Sequence, residues 1–235
     1  MVYLTGDTHG SVDRIKRFCN RMNLSTEDVI VILGDVGLNF FLNQKDFWPK
    51  LKLSTLETTI FCVHGNHEER PYNIHGYKEV ERFGGTVYVQ DAFPNIVFAK
   101  DGEIYKLPSQ DGTMHSVMVI GGAYSVDKEY RLLVGSPWFE SEQPNDEIKS
   151  RVYESLKRNN FEVDNIFSHT LPEQFIPTEQ FINGLDQSKV DRSTEAWLQE
   201  LYDKVNLRDR WFCGHWHCDK SDGKLRILYT SYDIL

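Results

Sequence analysis

The sequence has no long apolar run. A membrane-spanning helix needs about 18 consecutive apolar residues, whereas one of the longest runs here, Val29–Leu33, has only five. The N-terminal segment MVYLTGDTHG also lacks the basic region and the apolar stretch of a secretory signal peptide. We therefore expect neither a membrane segment nor a cleaved leader.

Cysteine is scarce. The four cysteines show no regular spacing; they are Cys19, Cys62, Cys213 and Cys218. This pattern argues against a disulfide scaffold and favours reduced thiols, as in proteins of the cytosol. We therefore predict a cytoplasmic location.

Positively charged residues are also fewer than negatively charged ones. The 26 Lys and Arg residues face 35 Asp and Glu residues, which gives a formal net charge of −9. Clustered Lys and Arg are what nucleic-acid backbones require, so we expect no nucleic-acid partner. A phosphate-bearing ligand remains compatible with this charge if metal ions supply the local positive charge.

The apolar runs follow a pattern that is typical of a parallel sheet. Val2–Thr5, Val29–Leu33 and Ile60–Val63 each precede a glycine and polar residues. Buried strands that end in this way form α/β folds, in which the site lies beyond the carboxyl ends of the strands. Later short runs predict a second, more antiparallel sheet, with a hairpin at Lys100–Gly102. Helical spacing predicts a helix over Glu147–Asn159.

Three smaller expectations concern the surroundings of these elements. Ser11 is a candidate cap for the helix that follows the first strand. The segment Glu140–Glu147 is expected to be a solvated loop leading into a helix. Trp216, between two histidines, is expected to point away from them and to shape the mouth of a cleft.

Carboxylate, amide and imidazole side chains follow the predicted strands. They are Asp7, His9, Asp35, Asn66, His67, His169, His215 and His217. Asp7 with His9, and His215 with His217, are two residues apart, so in extended backbone each pair would point the same way and could hold one ion. Such ligands suit Mn²⁺, Fe or Zn²⁺. Their number suffices for two ions that share a carboxylate, an arrangement that activates a nucleophile against phosphorus.

These residues also carry a resemblance to a known family. The segments GDTHG, GDVGLN, GNHE, a lone histidine after a strand, and GHWH resemble, in this order, the five motifs of the calcineurin-like metallophosphoesterases. The resemblance extends from residue 6 to residue 217 and implies a single domain over residues 1–235. The implied fold class is α/β, a four-layer α/β/β/α sandwich of two mixed sheets flanked by helices.

The resemblance further implies roles for individual residues. The first ion would be held by Asp7, His9, Asp35 and His217, and the second by Asp35, Asn66, His169 and His215, with Asp35 bridging. His67 would be the general acid that protonates the leaving oxygen. The implied reaction is hydrolysis of a phosphate ester by attack of a metal-bridging hydroxide. Mn²⁺ is favoured for both sites, with Fe and Zn²⁺ as alternatives.

The sequence departs from one branch of this family. Ser/Thr protein phosphatases have Asp-Arg-Gly where this chain has Leu38, Asn39 and Phe40, and Arg where it has His64. Both phosphate-binding arginines of that branch are therefore missing. The remaining candidates for contact with substrate are Arg131, Lys128, Arg70 and His64.

We accordingly expect a small phosphorylated substrate, either a phosphomonoester or a nucleotide. The alternatives are phosphodiester or nuclease activity and Ser/Thr protein phosphatase activity at the same site. A non-catalytic binding module is a more remote alternative, because such modules usually lose the ligands or the acid histidine and this chain keeps them.

Overall fold

Two mixed β-sheets and the helices that cover them make up the computed structural model, which describes residues 1–181, 184 and 186–235. Within these residues the helices are α1 (Asp13–Met22), α2 (Gln44–Ser54), α3 (Lys128–Val134), α4 (Asp146–Arg158) and α5 (Ser193–Tyr202). The strands are β1 (Val2–Thr5), β2 (Val29–Ile32), β3 (Thr59–Cys62), β4 (Tyr77–Arg82), β5 (Gly85–Gln90), β6 (Ile96–Ala99), β7 (Ile104–Pro108), β8 (Met114–Ile120), β9 (Glu162–Val163), β10 (Asn165–Ser168), β11 (Asn206–Leu207), β12 (Trp211–Cys213), β13 (Lys220–Asp222), β14 (Leu225–Ile227) and β15 (Asp233–Ile234).

Each large sheet has a parallel centre and antiparallel edges. The first has the order β15-β1-β2-β3-β6-β5-β4, in which β1, β2, β3 and β6 are parallel. The second has the order β13-β14-β12-β10-β8-β7, in which β14, β12, β10 and β8 are parallel. The two mixed sheets are thus confirmed, whereas the expectation that the second would be more antiparallel than the first was wrong, because it has two antiparallel pairings and the first has three.

The segment Lys100–Gly102 explains part of this error. It joins β6 of the first sheet to β7 of the second, and is therefore a crossover between sheets rather than the predicted hairpin. Gly102 has a φ of 85°, which glycine adopts without strain in either kind of turn. Local turn chemistry thus predicts the bend but not which strands it joins.

The alternation of side chains along the central strands builds the four layers. Val2 and Leu4 of β1 lie in the apolar cluster between the two sheets, while Tyr3 lies in the cluster beneath α1 and α2. In the second sheet, Val119 of β8 faces the same central cluster and Met118 faces α4 and α5. Because successive strand residues point to opposite faces, each sheet buries both faces, and the predicted four-layer sandwich is confirmed. None of the helices in the described residues is long and apolar enough to cross a membrane.

The helices differ from the sequence-based predictions in their ends, their caps and their number. Helix α4 begins and ends one residue before the predicted bounds. Helix α1 begins at Asp13 after Val12, which makes no side-chain cap, so the cap predicted at Ser11 is not formed. Helix α3 has no counterpart among the predicted elements.

Candidate metal centre

The carboxyl ends of the parallel strands bring all eight predicted polar residues to one edge of the sandwich. Asp7 and His9 follow β1, Asp35 follows β2, Asn66 and His67 follow β3, His169 follows β10, and His215 and His217 follow β12. The two sheets contribute to the same edge because their parallel strands end there together. The strand order, which places segments far apart in the sequence side by side, thus brings the residues of the five motifs into one cluster.

Glycine precedes several of these residues for a steric reason. A Cβ atom on Gly65 would lie 2.1 Å from Oδ1 of Asp35, and one on Gly214 would lie 2.4 Å from Oδ1 of Asp7. Any larger residue would push the backbone away from the neighbouring carboxylate. The Gly-Asn and Gly-His pairs of the motifs are therefore required by the close approach of the loops.

The two-residue spacing of the pairs had led us to expect extended backbone at the site. The backbone there is not extended. His9, Asp35, His215 and His217 have φ values of 46°, 47°, 66° and 48°, all in the left-handed region. These residues converge because tight turns after each strand redirect the chain, not because alternate side chains share a strand face. Left-handed backbone in non-glycine residues costs free energy and is concentrated at functional sites.

One half of the cluster is formed by Asp7, His9 and His217. Nε2 of His217 lies 3.2 Å from Oδ2 of Asp7. Nε2 of His9 lies 3.0 Å from Nε2 of His217 and 3.8 Å from Oδ2 of Asp7. Two imidazole nitrogens this close can share a proton or face a common cation.

The other half is formed around His169. Its Nε2 lies 2.8 Å from Oδ1 of Asn66 and 3.6 Å from Oδ1 of Asp35. Its Nδ1 lies 2.8 Å from the carbonyl oxygen of Leu33, which fixes the ring. The ring of His215 packs edge-on against His169, with centroids 5.0 Å apart.

Asp35 lies between the two halves. Its Oδ2 is 3.8 Å from Nε2 of His9, and its Oδ1 is 3.6 Å from Nε2 of His169. The two oxygens of one buried carboxylate thus face the two halves separately. This is the arrangement that a shared ligand requires.

The donor set fits divalent metal ions. Within the described residues, three groups of carboxylate and imidazole atoms lie within 4.8 Å of one another: Asp7, His9 and His217; His9, Asp35 and His67; and Asp7, Asp35 and His169. Asp7 and Asp35 are buried, and in the part of the chain that the structure describes their carboxylates form ion pairs with histidines but with no Lys or Arg. Buried charges of this kind are usually paired or coordinate metals.

The protonation states of Asp7 and His215 agree with metal binding. Burial by itself raises the pKa of the Asp7 carboxyl, but the hydrogen bond with His217 and the nearby histidines lower it overall, well below its usual range. Burial, followed by the neighbouring His169, lowers the pKa of His215 to about 3. An ionised carboxylate and a neutral imidazole are the forms that bind metal.

His67 is attached to the same cluster through its backbone. Its N–H donates to Oδ1 of Asp35 over 2.8 Å, and its ring packs edge-on against His9 with centroids 5.0 Å apart. Burial is the main cause that lowers the pKa of His67, and the charge of Arg131 acts in the same direction. Because a ring nitrogen of His67 also belongs to one of the three groups, geometry alone permits either a ligand or an acid.

Lys128 and Arg131, two of the residues predicted to contact substrate, do not line the cavity of the site. Arg131 is buried; its guanidinium donates to Asp127 and to Oγ of Ser125. Nζ of Lys128 lies 4.0 Å from the ring centroid of Trp138. Arg131 shares the Ser125 hydroxyl with Asn66, whose Nδ2 donates to it over 2.8 Å.

Arg70 and His64 also lie away from the cavity. The Arg70 guanidinium is buried against the carboxylate of Asp101 and donates to the carbonyl of Ser141 over 2.8 Å. His64 is buried, and neither ring nitrogen has a hydrogen-bond partner among the described residues. Burial and the charge of Arg70 lower the pKa of His64 well below its usual value. Neither residue is among those that line the cavity.

Other residues that sequence reasoning passed over support the loops. Glu68 is buried, and its Oε1 accepts from the backbone N–H of Gly65 over 3.2 Å, next to Asn66. Glu142 lies in the segment expected to be solvated, yet it is buried and accepts from the indole N–H of Trp138 over 2.8 Å. The fourth residue of GNHE is a signal for Glu68, whereas nothing local marks Glu142, because its partners lie in other loops.

Two cavities meet at the cluster. The larger, of about 440 Å³, is lined by six of the predicted residues, namely His9, Asp35, Asn66, His67, His215 and His217. The smaller, of about 300 Å³, lies beside Phe40, Phe41 and Lys45 and shares His9 and His67 with the larger. Trp216 lines the larger cavity together with its two histidine neighbours. The polar cluster is thus open to a small molecule.

Comparison with known proteins agrees with the fold and the motifs. The model of the calcineurin-like phosphoesterase family matches residues 1–219. The crystal structure of TT1561 of Thermus thermophilus has 13% sequence identity and a TM-score of 0.53, and the match covers 97% of this chain and 87% of that chain. Phosphopantetheinyl hydrolase (PptH) from Mycobacterium tuberculosis has 12% identity and a TM-score of 0.47, over 97% of this chain and 87% of that chain. No curated protein matches the chain.

The family match covers nearly the whole chain, and it includes every strand whose end carries a residue of the cluster. We conclude that the chain belongs to the calcineurin-like phosphoesterase family.

Proposed function

We propose that this protein hydrolyses a small, soluble phosphomonoester at a centre of two divalent metal ions. The calcineurin-like phosphoesterases are a metal-dependent family of phosphoester hydrolases. The observation that carries the proposal is the position of Asp35, whose two oxygens face two separate sets of ligand atoms.

The residues that would hold the ions divide as the sequence motifs imply. The first set is Asp7, His9, Asp35 and His217, and the second set is Asp35, Asn66, His169 and His215. When bound, the ions would neutralise charge on the phosphate and make a nucleophile available near neutral pH. We propose Mn²⁺ for both positions, because mixed imidazole, carboxylate and amide ligands suit it.

The chain itself would supply positioning and a proton. Ser125 holds the side-chain amide of Asn66 through Nδ2, so its Oδ1 points to His169. His67 lies where the two cavities meet, so its ring can reach an ester oxygen on either side. In our proposal it protonates the leaving oxygen, a step that typically contributes about 10²- to 10⁴-fold to the rate.

The smaller cavity supports phosphodiester hydrolysis as a second candidate. Because it shares His9 and His67 with the larger cavity, phosphorus at the centre would have open space on two sides. A diester has two substituents and would use both cavities, whereas a monoester needs one. The monoester is preferred because the larger cavity contains most of the cluster.

The cysteines support a reducing compartment. All four are free, and three of them are buried. Unpaired thiols are typical of cytosolic proteins, and we propose a cytoplasmic location on this ground.

The experiment is a comparison of metal-depleted protein with protein supplied with Mn²⁺. We expect hydrolysis of p-nitrophenyl phosphate only with the metal, and slower hydrolysis of bis(p-nitrophenyl) phosphate. Faster hydrolysis of the diester would favour the second candidate. Bound metal without turnover of either ester would contradict both and favour a binding module.

A further inference from the structure

The outer half of the larger cavity differs in character from the metal-ligand half. Beyond the cluster its wall combines polar and charged residues with aromatic and apolar ones, which include Tyr124, Phe181 and Trp216. Its volume of about 440 Å³ lies within the range of small-molecule sites, roughly 300 to 1,000 Å³. A phosphate at the cluster would fill only the inner half, and the rest of the substrate would contact this wall.

The indole ring of Trp216 is held in place from behind. Its Nε1–H donates to Oγ1 of Thr170 over 3.2 Å, and the Thr170 hydroxyl donates to Oε1 of Glu195 over 2.7 Å. Thr170 and Glu195 are buried. A buried chain of hydrogen bonds therefore fixes the ring before any ligand arrives, and a preformed surface binds at lower entropic cost.

A second aromatic ring lies beside the first. The rings of Phe181 and Trp216 are 28° from parallel, with centroids 6.5 Å apart. The guanidinium carbon of Arg192 lies 5.2 Å from the Phe181 centroid. Aromatic rings and a stacked guanidinium form a platform on which planar bases stack, whatever their sequence identity.

The charge around this platform further restricts the class of ligand that can bind. Asp127, Asp191 and Glu195 line the larger cavity, and Arg192 is its one Lys or Arg among the described residues. Three carboxylates against one guanidinium disfavour a second phosphate, a polyphosphate or a nucleic-acid strand. The three carboxylates can instead accept hydrogen bonds from a neutral group that has donors at its edge.

We propose that this outer half binds the base of a nucleoside 5′-monophosphate, with Phe181 and Trp216 as its stacking surface. The inference rests on the proposed phosphomonoesterase function and specifies its substrate class. It assigns substrate contact to Phe181 and Trp216, and not to Lys128 or Arg131.

The test compares adenosine 5′-monophosphate with ribose 5-phosphate on the Mn²⁺-loaded protein. Both esters have the same kind of primary alkoxide leaving group and differ in the base. We expect kcat/KM to be about tenfold or more higher for the nucleotide, since stacking of one base is worth roughly that factor. Equal values for the two esters would overturn the proposal while leaving the phosphomonoesterase function intact.

Variants locate the effect within the molecule. In Phe181→Leu and Trp216→Leu the ratio of the two kcat/KM values should fall towards one. The ratio, rather than the rate, is the readout, because it is insensitive to the fraction of active protein. Trp48→Leu is the matched control, since Trp48 is 64% exposed on α2 and should leave the ratio unchanged. A ratio that falls in Phe41→Leu but not in Phe181→Leu would indicate that the base binds in the smaller cavity, and this would overturn the proposal.

A binding measurement separates this inference from the proposed function. Adenosine carries no phosphate, and saturation-transfer NMR detects its contact with the Mg²⁺-loaded protein, in which paramagnetic broadening is absent. We expect transfer to the base protons that weakens in Phe181→Leu, and none to free ribose. Adenosine contact without hydrolysis of any ester would support the base site and contradict the hydrolase, whereas hydrolysis without adenosine contact would do the reverse.

Discussion

The side-chain amide of Asn66 donates a hydrogen bond to the hydroxyl of Ser125 over 2.8 Å. The same hydroxyl accepts from the buried guanidinium of Arg131. Asn66 is a proposed ligand, so Ser125 and Arg131 form a second layer that orients its carbonyl oxygen towards His169. Residues in such a layer commonly affect metal affinity or activity by about 10- to 100-fold.

The first prediction tests this layer. Ser125→Ala removes the acceptor for Asn66, so Mn²⁺ affinity should fall by about tenfold or more while the fold persists. Isothermal titration with Mn²⁺ measures the change. Ser150→Ala, on the exposed face of α4, is the control. Unchanged affinity in Ser125→Ala would show that Asn66 is oriented by other contacts.

The second prediction concerns the shared carboxylate. Asp35→Asn replaces a charged bridge by a neutral amide, which cannot hold two cations equally well. Elemental analysis after dialysis should find less than one ion per chain, against two for the unaltered protein. Asp13→Asn alters a carboxylate that is 64% exposed and should keep both ions. Two tightly bound ions in Asp35→Asn would remove Asp35 from the bridging position.

The third prediction concerns the role of His67. A nitrophenolate leaves without a proton, whereas an alkoxide needs one, so His67→Ala should lose about 10²- to 10⁴-fold on an alkyl phosphate. The loss on p-nitrophenyl phosphate should be much smaller, and both ions should stay bound.

His75 lies on the surface, and His75→Ala serves as the control for His67→Ala in both assays. An equal loss on the two substrates together with loss of metal would identify His67 as a ligand. That result would be consistent with its proximity to His9 and Asp35.

The fourth prediction concerns stability. Arg70 and Asp101 form a buried ion pair, with side chains 1% and 6% exposed. Arg70→Met should lower the free energy of unfolding by about 3–5 kcal/mol, because it leaves an uncompensated buried carboxylate. The double variant Arg70→Met/Asp101→Asn should lose less than the sum of the two single losses. Urea unfolding of the metal-free protein measures the free energy of unfolding of Arg70→Met, of Asp101→Asn and of the double variant.

The exposed pair of Lys52 and Asp13, 3.0 Å apart, is the matched control for this cycle. Lys52→Met should change the free energy of unfolding by no more than about 1 kcal/mol. If the losses from the Arg70 and Asp101 variants simply added, the two side chains would be acting independently.

The sequence alone indicated the three strands that precede GDTHG, GDVGLN and GNHE, and it named the residues proposed as donors of the candidate centre. Val2–Thr5 was predicted with the bounds that the structure has, and Val29–Leu33 and Ile60–Val63 differ from β2 and β3 by one residue at one or both ends. These features are local, because a buried strand needs a short apolar run and each motif follows its strand directly. Parallel strands then bring such motifs to one edge whatever the details of packing.

Only the tertiary structure decided which partners the remaining polar groups have. Lys100–Gly102 looks like a hairpin but crosses between sheets, and Arg70 looks like a free cation but is buried against Asp101. Arg192, which does line the cavity, stands in none of the five motifs and lies just before α5. The fate of a long charged side chain depends on which distant loop packs over it, and no local pattern encodes that.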